Sequence, residues 1–408
     1  MNTFTVQRED DFDFRSAEYD ELYARASATP FQHGVWLTAL YDVLAPRRRA
    51  EKVVVTVRGA GGQLVLVLPM VLRRQGPLRV LEYADLGVND YAAPVLDQQH
   101  RAALIEDPDL GRRIRGVLSG FDLMRIERVA DSPESFLFLL AGARARAHAY
   151  DTHLIDLTDT PEDWYGRLDP QFVRHLERKY KRLRPKGERR LRLVEDLAEV
   201  LPLMDRMRQF RAARFADRRG VDLVQDDDCF EFYCAAARRS LTEGGPGRLV
   251  ALEVAGEPVA VAFDLTDDTQ ELFLLVGYDV ERLRNYSLGL LIVDELVRDA
   301  IGRGVQGFDL TVGDESYKTD FGARARPLYE IRLHRTPLGA AGFVARDGYL
   351  RARQLAKRIV LAREERQRQK QRASQQQGKQ PTDSAEVDKA PSQQQKTGKE
   401  QSPRPKAG

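Results

Sequence analysis

The sequence has few of the residues from which disulfide frameworks and metal sites are built. Its two cysteines, Cys229 and Cys234, stand five positions apart in a predicted helix, so we expect no disulfide framework. No apolar run approaches the roughly eighteen residues of a membrane-spanning helix. The motifs of a nucleophilic serine (G-x-S-x-G) and of a Walker phosphate loop are also missing. The histidines are scattered without the spacing of a ligand set, so no metal site is expected: His33, His100, His148, His153, His175 and His334.

The N-terminus lacks the apolar segment of a secretory signal, since it begins MNTFTVQREDDFDF. Together with the scarcity of cysteine, this predicts a reducing, cytoplasmic location. The net charge of +2 is unevenly distributed. From Arg351 onward there are 15 Lys/Arg and 6 Asp/Glu, whereas residues 1–350 carry 49 and 56. The positive excess therefore belongs to the C-terminal end, which argues against the main body as a nucleic-acid-binding surface.

The C-terminal end has a composition that cannot bury a core. We predict a charged helix at residues 341–372 and a disordered, basic, Gln-rich tail at 373–408, which has no aromatic and almost no apolar residue. Such a tail could contact an anionic membrane surface or nucleic acid, although its charge density is modest.

Two parts of the chain show the same order of predicted elements. Residues 53–69 and 248–265 each alternate apolar residues around a Gly-containing turn, which is typical of a β-hairpin. The tetrapeptide Gly-Phe-Asp-Leu follows a helical stretch at 120–123 and again at 307–310. We infer an internal duplication and predict an α/β fold with mixed sheets. The predicted bounds are 1–160 for a degenerate first domain and 161–340 for the second, which includes a basic helical insert at 163–220.

The stretch from Glu271 to Phe321 predicts a strand, loop, helix and strand. An apolar strand, Leu272 to Val276, leads through a polar loop into a helix from about Leu288 to Ile301, and a second strand spans Phe308 to Val312. This order predicts a βαβ crossover with parallel neighbouring strands, and ligands bind such units at the carboxyl ends of the strands. The first copy has only a shorter helix, Glu106 to Leu118, without an equivalent loop.

The loop before the predicted crossover helix could bind an anion. A helix N-terminus offers unpaired backbone amides and a partial positive charge. Ser287 and Gly289 are small enough for close approach, and Arg284 adds a cation. The alternative is an ordinary helix start, with Ser287 as its N-cap and Gly289 incidental.

The order of motifs in this block resembles the CelD/BcsL-type (cellulose biosynthesis) acetyltransferase family of the GNAT superfamily. The resemblance rests on the R-x-x-S-x-G loop at 284–289, the G-x-x-x-F-D-L strand and the G-D-E-x-Y-K segment at 313–318. Residues 29–36 and the Leu68-Pro69 pair are also similar to that family, and the resemblance covers about 25–335. The chain departs from the usual R/Q-x-x-G-x-G/A loop at Ser287, which leaves the identity of the bound cofactor open.

The resemblance implies two tandem GNAT-like domains and acyl transfer from acetyl-CoA to an amine or hydroxyl of a polysaccharide or cell-envelope precursor. It implies that the loop holds the CoA pyrophosphate and that the first strand pairs with the pantetheine arm. The cofactor-binding candidates are Val276, Arg284, Asn285, Ser287, Leu288, Gly289 and Leu290. No metal is expected.

Direct transfer from a thioester needs positioning, a polarised carbonyl and proton handling, but no covalent nucleophile. Asp309 or Asp314 could act as general base, Tyr317 could protonate the thiolate, and Lys318 could neutralise charge or bind the acceptor. A structural role is the alternative for Asp309, because Asp122 occupies the same place in the other Gly-Phe-Asp-Leu. Asp314 and Glu315 could simply form a turn, and Lys318 could be a solvated charge.

The basic segment around Arg174, Arg178 and Lys181 leaves further alternatives open. It could be solvated surface, bind a small-molecule or glycan-precursor acceptor, including an anionic one, or contact tRNA. The organisation also resembles the FemAB-like peptidoglycan aminoacyltransferases, which implies an aminoacyl-tRNA-dependent transferase as a second hypothesis. A third is a non-enzymatic scaffold of a polysaccharide-assembly complex with a decayed cofactor loop.

Overall fold

The computed structural model describes residues 4–216 and 222–353, which form mixed β-sheets covered by helices. The strands are β1 (Thr5–Arg8), β2 (Glu51–Arg58), β3 (Leu64–Gln75), β4 (Leu78–Tyr83), β5 (Val95–Leu96), β6 (Leu123–Ala130), β7 (Arg144–Ala147), β8 (Thr152–Asp156), β9 (Arg189–Leu193), β10 (Gly247–Val254), β11 (Glu257–Thr266), β12 (Gln270–Tyr278), β13 (Gly307–Val312), β14 (Arg324–Arg326) and β15 (Leu328–His334). The α/β class predicted from the sequence is therefore confirmed.

The helices lie between these strands. They are α1 (Ala17–Arg25), α2 (Gly34–Ala39), α3 (Ala45–Arg47), α4 (Arg101–Glu106), α5 (Leu110–Val117), α6 (Glu134–Leu137), α7 (Pro161–Arg167), α8 (Pro170–Leu183), α9 (Leu197–Phe215), α10 (Asp227–Glu243), α11 (Leu288–Gly302) and α12 (Tyr317–Asp320). The single helix predicted from Glu106 to Leu118 is wrong, because α4 ends before Pro108 and α5 begins after it. A proline disfavours helical conformation in the residue before it.

The two sheets repeat one strand order. The first runs β1-β2-β3-β4-β6-β15-β7, with β5 paired to β3, and the second runs β9-β10-β11-β12-β13-β8-β14. In each sheet the fourth and fifth strands are parallel, and the other pairings along this order are antiparallel. The crossover between β12 and β13 is the predicted βαβ unit, and its parallel pairing is confirmed. The matching order supports the inferred duplication.

Each half places its last strand in the sheet of the other half. β8 follows β7 in the chain but lies between β13 and β14 of the second sheet. β15 follows β14 but lies between β6 and β7 of the first sheet. The boundary at residue 160 stays a prediction, and hydrogen bonding between strands crosses it in both directions.

The strand registers correct one detail of the proposed repeat. Asp309 pairs with Leu154 of β8, and the position equivalent to it in the first sheet is Ile126, which pairs with Ile331 of β15. The two Gly-Phe-Asp-Leu tetrapeptides are therefore four positions out of register, and Asp122 is not the counterpart of Asp309. A backbone irregularity does occur at equivalent positions of β13 and β6, since Thr311 and Arg128 have positive φ angles of 59° and 60°.

Three groups of buried apolar residues hold the sheets and helices together. One covers a face of the first sheet with α4, α5 and α6, and another covers a face of the second sheet with α7, α8 and α11. The third lies between the halves, where Trp36 of α2 meets Phe232 and Tyr233 of α10. Burial of these side chains stabilises both halves as one unit, and contacts divide the chain only after Val344.

Residues 337–353 are helical, which agrees with the start of the predicted charged helix. The remainder of that helix and the predicted tail at 373–408 lie outside the described residues. Within the described ranges, no helix combines the length and apolar character needed to cross a bilayer.

Candidate active site

A cleft of about 590 Å³ opens where β12 and β13 separate. Their parallel pairing covers three positions and stops at Leu272 and Asp309. Irregularities follow on both strands, with a register shift of β12 against β11 and the positive φ of Thr311 in β13. Bulges bend strands and end pairing. The lining residues on these two strands and the segments after them are 273–276, 278–280, 283, 284, 287–290, 293, 310–312, 315, 317 and 318.

The N-terminus of α11 faces this cleft through the predicted loop. Ser287 has φ 56° and ψ 45°, a left-handed conformation, and its side chain makes no capping hydrogen bond. Its carbonyl accepts the amides of Leu290 at 2.9 Å and Leu291 at 3.2 Å. Ser287 therefore occupies the N-cap position, as in the alternative of an ordinary helix start, but its side chain does not cap the helix. The first amides of a fifteen-residue helix remain available to an anion at the cleft.

Gly289 brings the helix against an aromatic ring. A Cβ atom at position 289 would lie 2.8 Å from Cε1 of Tyr278, closer than a normal contact. On that ring, the guanidinium carbon of Arg214 lies 4.8 Å from the centroid. Gly289 is therefore required by close packing and is not incidental, and a larger side chain there would displace Tyr278.

Two arginines of α9 reach the cleft, a role that the sequence did not predict. Arg211 donates to Asp222 at 2.6 Å and to the carbonyl of Val276 at 2.9 Å. Arg214 lines the same cleft together with Arg284. The available signal was the basic helical insert predicted at 163–220, but nothing in its sequence places a helix of that insert against β12. The cleft thus carries cations from separate elements, as a site for phosphate groups would.

Asn285 differs from the other loop candidates. Its backbone carbonyl accepts a hydrogen bond from Lys179 of α8 at 3.4 Å, and its side chain does not line the cleft. The remaining candidates of this group, Val276, Arg284, Ser287, Leu288, Gly289 and Leu290, all line it.

Lys318 lines the cleft and is buried, with 2% of its side chain exposed. Its ammonium group donates to the carbonyls of Thr311 at 3.0 Å and Gly313 at 3.3 Å, and lies 3.2 Å from Oε2 of Glu315. The solvated-charge alternative is therefore wrong. The ammonium group instead holds the irregular end of β13, where Thr311 and Gly313 both have positive φ.

Tyr317 and Asp314 lie on either side of Glu315 in different surroundings. Tyr317 lines the cleft, and burial raises the pKa of its phenol, with a smaller contribution from Glu315. It therefore keeps its proton across the physiological range, and the raised pKa makes it a weaker acid than a free tyrosine. Asp314 is exposed and does not line the cleft.

Asp309 lies away from the cleft and is fully buried. Its carboxylate accepts hydrogen bonds from Tyr91 Oη at 2.7 Å, Thr152 Oγ1 at 3.1 Å and the amide of Thr311 at 2.7 Å. Burial raises the pKa of this carboxyl, and these hydrogen bonds oppose the shift. Asp309 therefore joins both halves at β13, and the structure does not bring it together with Tyr317 and Lys318.

The first half contributes one wall of the cleft. Gly87, Val88 and Asp90 line it, and they come from the loop after β4. The polar and turn residues that follow β4 in the sequence predict a loop. They do not indicate that this loop reaches the second sheet. Among the described residues, no group of three or more His, Cys, Asp or Glu is placed to hold a metal ion.

Comparisons with known proteins agree with this architecture. Residues 170–319 match the family described as acetyltransferase (GNAT) domain, and no curated protein matches the chain. The crystal structure of FemX is similar with a TM-score of 0.56 at 10% identity, covering 81% of this chain and 97% of that one. A tandem GNAT protein from the clavulanic acid biosynthesis pathway gives 0.40 at 12% identity, covering 82% and 99%. A GCN5-related N-acetyltransferase from Sphaerobacter thermophilus gives 0.39 at 15% identity, covering 81% and 95%.

The matched family covers α8 through most of α12 and therefore includes β12, the cofactor-loop candidates, α11 and β13. The chain thus contains a GNAT acetyltransferase-like domain within a tandem fold, and the protein is an acyltransferase.

Proposed function

We propose that the protein transfers an acyl group, in the first place acetyl, from acyl-CoA to an amine or hydroxyl of a polysaccharide or cell-envelope precursor. The observation that carries the proposal is the cleft itself, where two diverging parallel strands meet the N-terminus of α11. The acceptor class rests on the resemblance to the CelD/BcsL-type family.

The residues at the mouth of the cleft fit the phosphate end of acyl-CoA. The first amides of α11 and the side chain of Arg284 would hold the pyrophosphate. The pantetheine arm would lie along β12. Because Arg211 already donates to the carbonyl of Val276, the arm would pair with other backbone groups of that strand.

The inner end of the cleft fits the reacting groups. Tyr317 would donate a proton to the departing thiolate, since its phenol remains protonated at neutral pH. Lys318 would keep the carbonyls of Thr311 and Gly313 in place and so fix the wall against which the acceptor lies.

A titration with acetyl-CoA tests this function. We expect acetyl-CoA to raise the melting temperature of the wild-type protein, because a ligand that binds only the folded state stabilises it. Gly289→Trp should lower the affinity at least about tenfold by displacing Tyr278 and blocking the helix N-terminus. Gly116→Trp is the control, because Gly116 lies in α5 of the first half, outside the cleft, and has open space around it. No shift for the wild type at millimolar acetyl-CoA would contradict the proposal and favour a scaffold.

The second candidate function is transfer from aminoacyl-tRNA, and the exposed face of α8 favours it. Arg174, Arg178 and Lys181 are exposed and have no ion pair within the described part of the chain. The same helix contacts the loop before α11 through Lys179. Charge reversal of the three exposed cations should abolish salt-sensitive RNA binding if tRNA is the donor. Unchanged acetyl-CoA affinity in that variant, without RNA binding by the wild type, would support the first function.

A further inference from the structure

Three carboxylates line the cleft among the described residues, and two of them are engaged in local structure. Asp279 accepts the amides of Glu281 at 3.2 Å and Arg282 at 2.8 Å through one oxygen. Glu315 pairs with the ammonium group of Lys318. The third carboxylate is Asp90, from the loop of the first half.

Asp90 lines the cleft and has only a long ion pair within the described residues. Its side chain is 21% exposed, and its closest cation is Arg128, with Nη1 at 3.9 Å from Oδ1. Arg128 is bound more closely by Asp85, at 3.1 Å. The hydroxyl of Thr311 and the charge of Lys318 also act on Asp90.

These surroundings keep Asp90 a weaker acid than usual. Burial raises the pKa of its carboxyl, Asp85 adds to the rise, and Arg128, Thr311 and Lys318 oppose it. Tyr91 and Tyr233 also face Asp90, and both are buried phenols. A base works best when its pKa lies near the working pH, and a shift in this direction brings Asp90 closer to it.

We propose that Asp90, supplied by the first half of the chain, is the general base for acyl transfer in the cleft of the second half. The proposal rests on the proposed acyl-CoA function. It also gives the first half, which lacks a cofactor loop of its own, a catalytic role.

Acyl transfer needs one proton removed from the acceptor and one given to the thiolate, and Asp90 and Tyr317 supply both transfers. The carboxylate of Asp90 takes a proton from the acceptor amine or hydroxyl as its nitrogen or oxygen forms a bond to the thioester carbonyl carbon. The carbon–sulfur bond then breaks, and the thiolate takes a proton from Tyr317. Proton exchange through solvent returns the proton from Asp90 to Tyr317, so the products are the acylated acceptor and the free thiol.

The test compares Asp90→Asn, Asp90→Glu and the wild type in binding and in thiol release. The acceptors are ethanolamine, hydroxylamine and water, with acetyl-CoA as donor. We expect Asp90→Asn to bind acetyl-CoA within about twofold of the wild type, yet to lose about a hundredfold in thiol release with ethanolamine. Hydroxylamine is unprotonated at neutral pH and depends less on a base, so the loss should be smaller. Asp90→Glu should restore part of the activity. With water as the acceptor, which does not titrate in this range, the fall in wild-type kcat/KM at low pH should vanish in Asp90→Asn.

The control is Asp159→Asn, since Asp159 is exposed and lies outside the cleft. If Asp90→Asn binds acetyl-CoA normally and releases thiol as fast as the wild type, Asp90 is not the general base, while the proposed acyl-CoA function stands. Wild-type protein that binds acetyl-CoA but releases thiol to none of the three acceptors would also overturn it, because a poised base should activate at least water. Failure of the wild type to bind acetyl-CoA would overturn the proposed function and this proposal with it.

Discussion

The two halves share one strand order but differ in the connection between their parallel strands. In the second half, α11 runs directly from the loop at 279–287 to the turn before β13. In the first half, residues 84–122 replace that helix with a long loop, the short β5, α4 and α5. The sheet was therefore kept while the connection changed, and only one connection presents a helix N-terminus at an open cleft.

Equivalent strands of the two sheets share a buried ion-pair arrangement. Glu82 and Glu271 occupy equivalent positions, and each buried carboxylate is bound by two arginines. Glu82 pairs with Arg73 and Arg125. Glu271 pairs in the same way with its own two arginines, Arg248 and Arg303. Paired burial of charge thus belongs to the shared sheet, whereas a helix N-terminus at an open cleft belongs to the second half alone.

The largest expected difference between the halves is a pH dependence of the unfolding free energy that comes from Asp264, a residue of the second half. Asp264 is fully buried, and its equivalent in the first sheet is Pro69. Burial raises the pKa of Asp264 to about 8, and Arg248 opposes the shift. Between the unfolded pKa and pH 8 the folded chain therefore holds a proton that the unfolded chain has released. Stability should fall as pH rises through this window, by at most about 1.4 kcal/mol per pH unit.

Asp264→Asn should remove this contribution, because the amide does not titrate. Denaturant unfolding at pH 5, 6, 7 and 8 measures it, with the variant gaining stability over the wild type at each step. Parallel stability curves for the two proteins would contradict the assignment.

A smaller effect is expected where α11 binds the basic segment, a contact without a counterpart in the first half. Asp294 is buried and accepts hydrogen bonds from Tyr165 at 2.9 Å and Tyr180 at 2.5 Å. Asp294→Ala should cost about 3 kcal/mol of unfolding free energy, because two buried hydroxyls lose their acceptor. Asp299→Ala, on the same helix but one-third exposed, should cost about 1 kcal/mol. Equal losses in urea unfolding would show that burial of Asp294 does not matter.

The smallest effect separates backbone strain from cofactor binding. Ser287 and Ala255 have nearly the same left-handed φ, 56° and 55°, but Ala255 lies in the β10–β11 turn outside the cleft. Replacing either by glycine should stabilise the fold by about 0.5 kcal/mol, as relief of strain slightly exceeds the added entropy of the unfolded chain. Only Ser287→Gly should also tighten acetyl-CoA binding, by about threefold. Equal affinities for both variants, measured calorimetrically, would argue against the loop as the pyrophosphate site.

The sequence predicted the hairpins and the crossover helix, because their periodicity is visible within short stretches of the chain. Alternating apolar residues predicted both hairpins, and helical spacing predicted α11 with a small error at its end. The GNAT superfamily assignment is confirmed at the level of the matched domain, whereas the CelD/BcsL-type assignment stays a proposal. The Gly-Phe-Asp-Leu tetrapeptides pointed to a duplication that the strand order supports, although they are not equivalent residues.

Contacts between distant segments could not be predicted from the periodicity of short stretches. Nothing in the local sequence of Asp90 or Arg211 states that their side chains reach a cleft between β12 and β13. The burial of Lys318 likewise depends on carbonyls exposed by the irregular end of β13, which no periodicity reveals. Such features depend on how the two halves pack, and a single sequence does not encode that packing in any short stretch.

The exchanged strands have a consequence for how the chain folds during synthesis. Domains usually fold as units, the N-terminal one first. Here the first sheet lacks an interior strand until residues 328–334 have left the ribosome, because β15 separates β6 from β7. A fragment that stops at residue 160 would leave β6 and β7 without their common neighbour and β8 without a sheet to join. Neither the segment before residue 160 nor the segment after it can therefore complete its own sheet alone, and a chain cut there would need both pieces together to form either sheet.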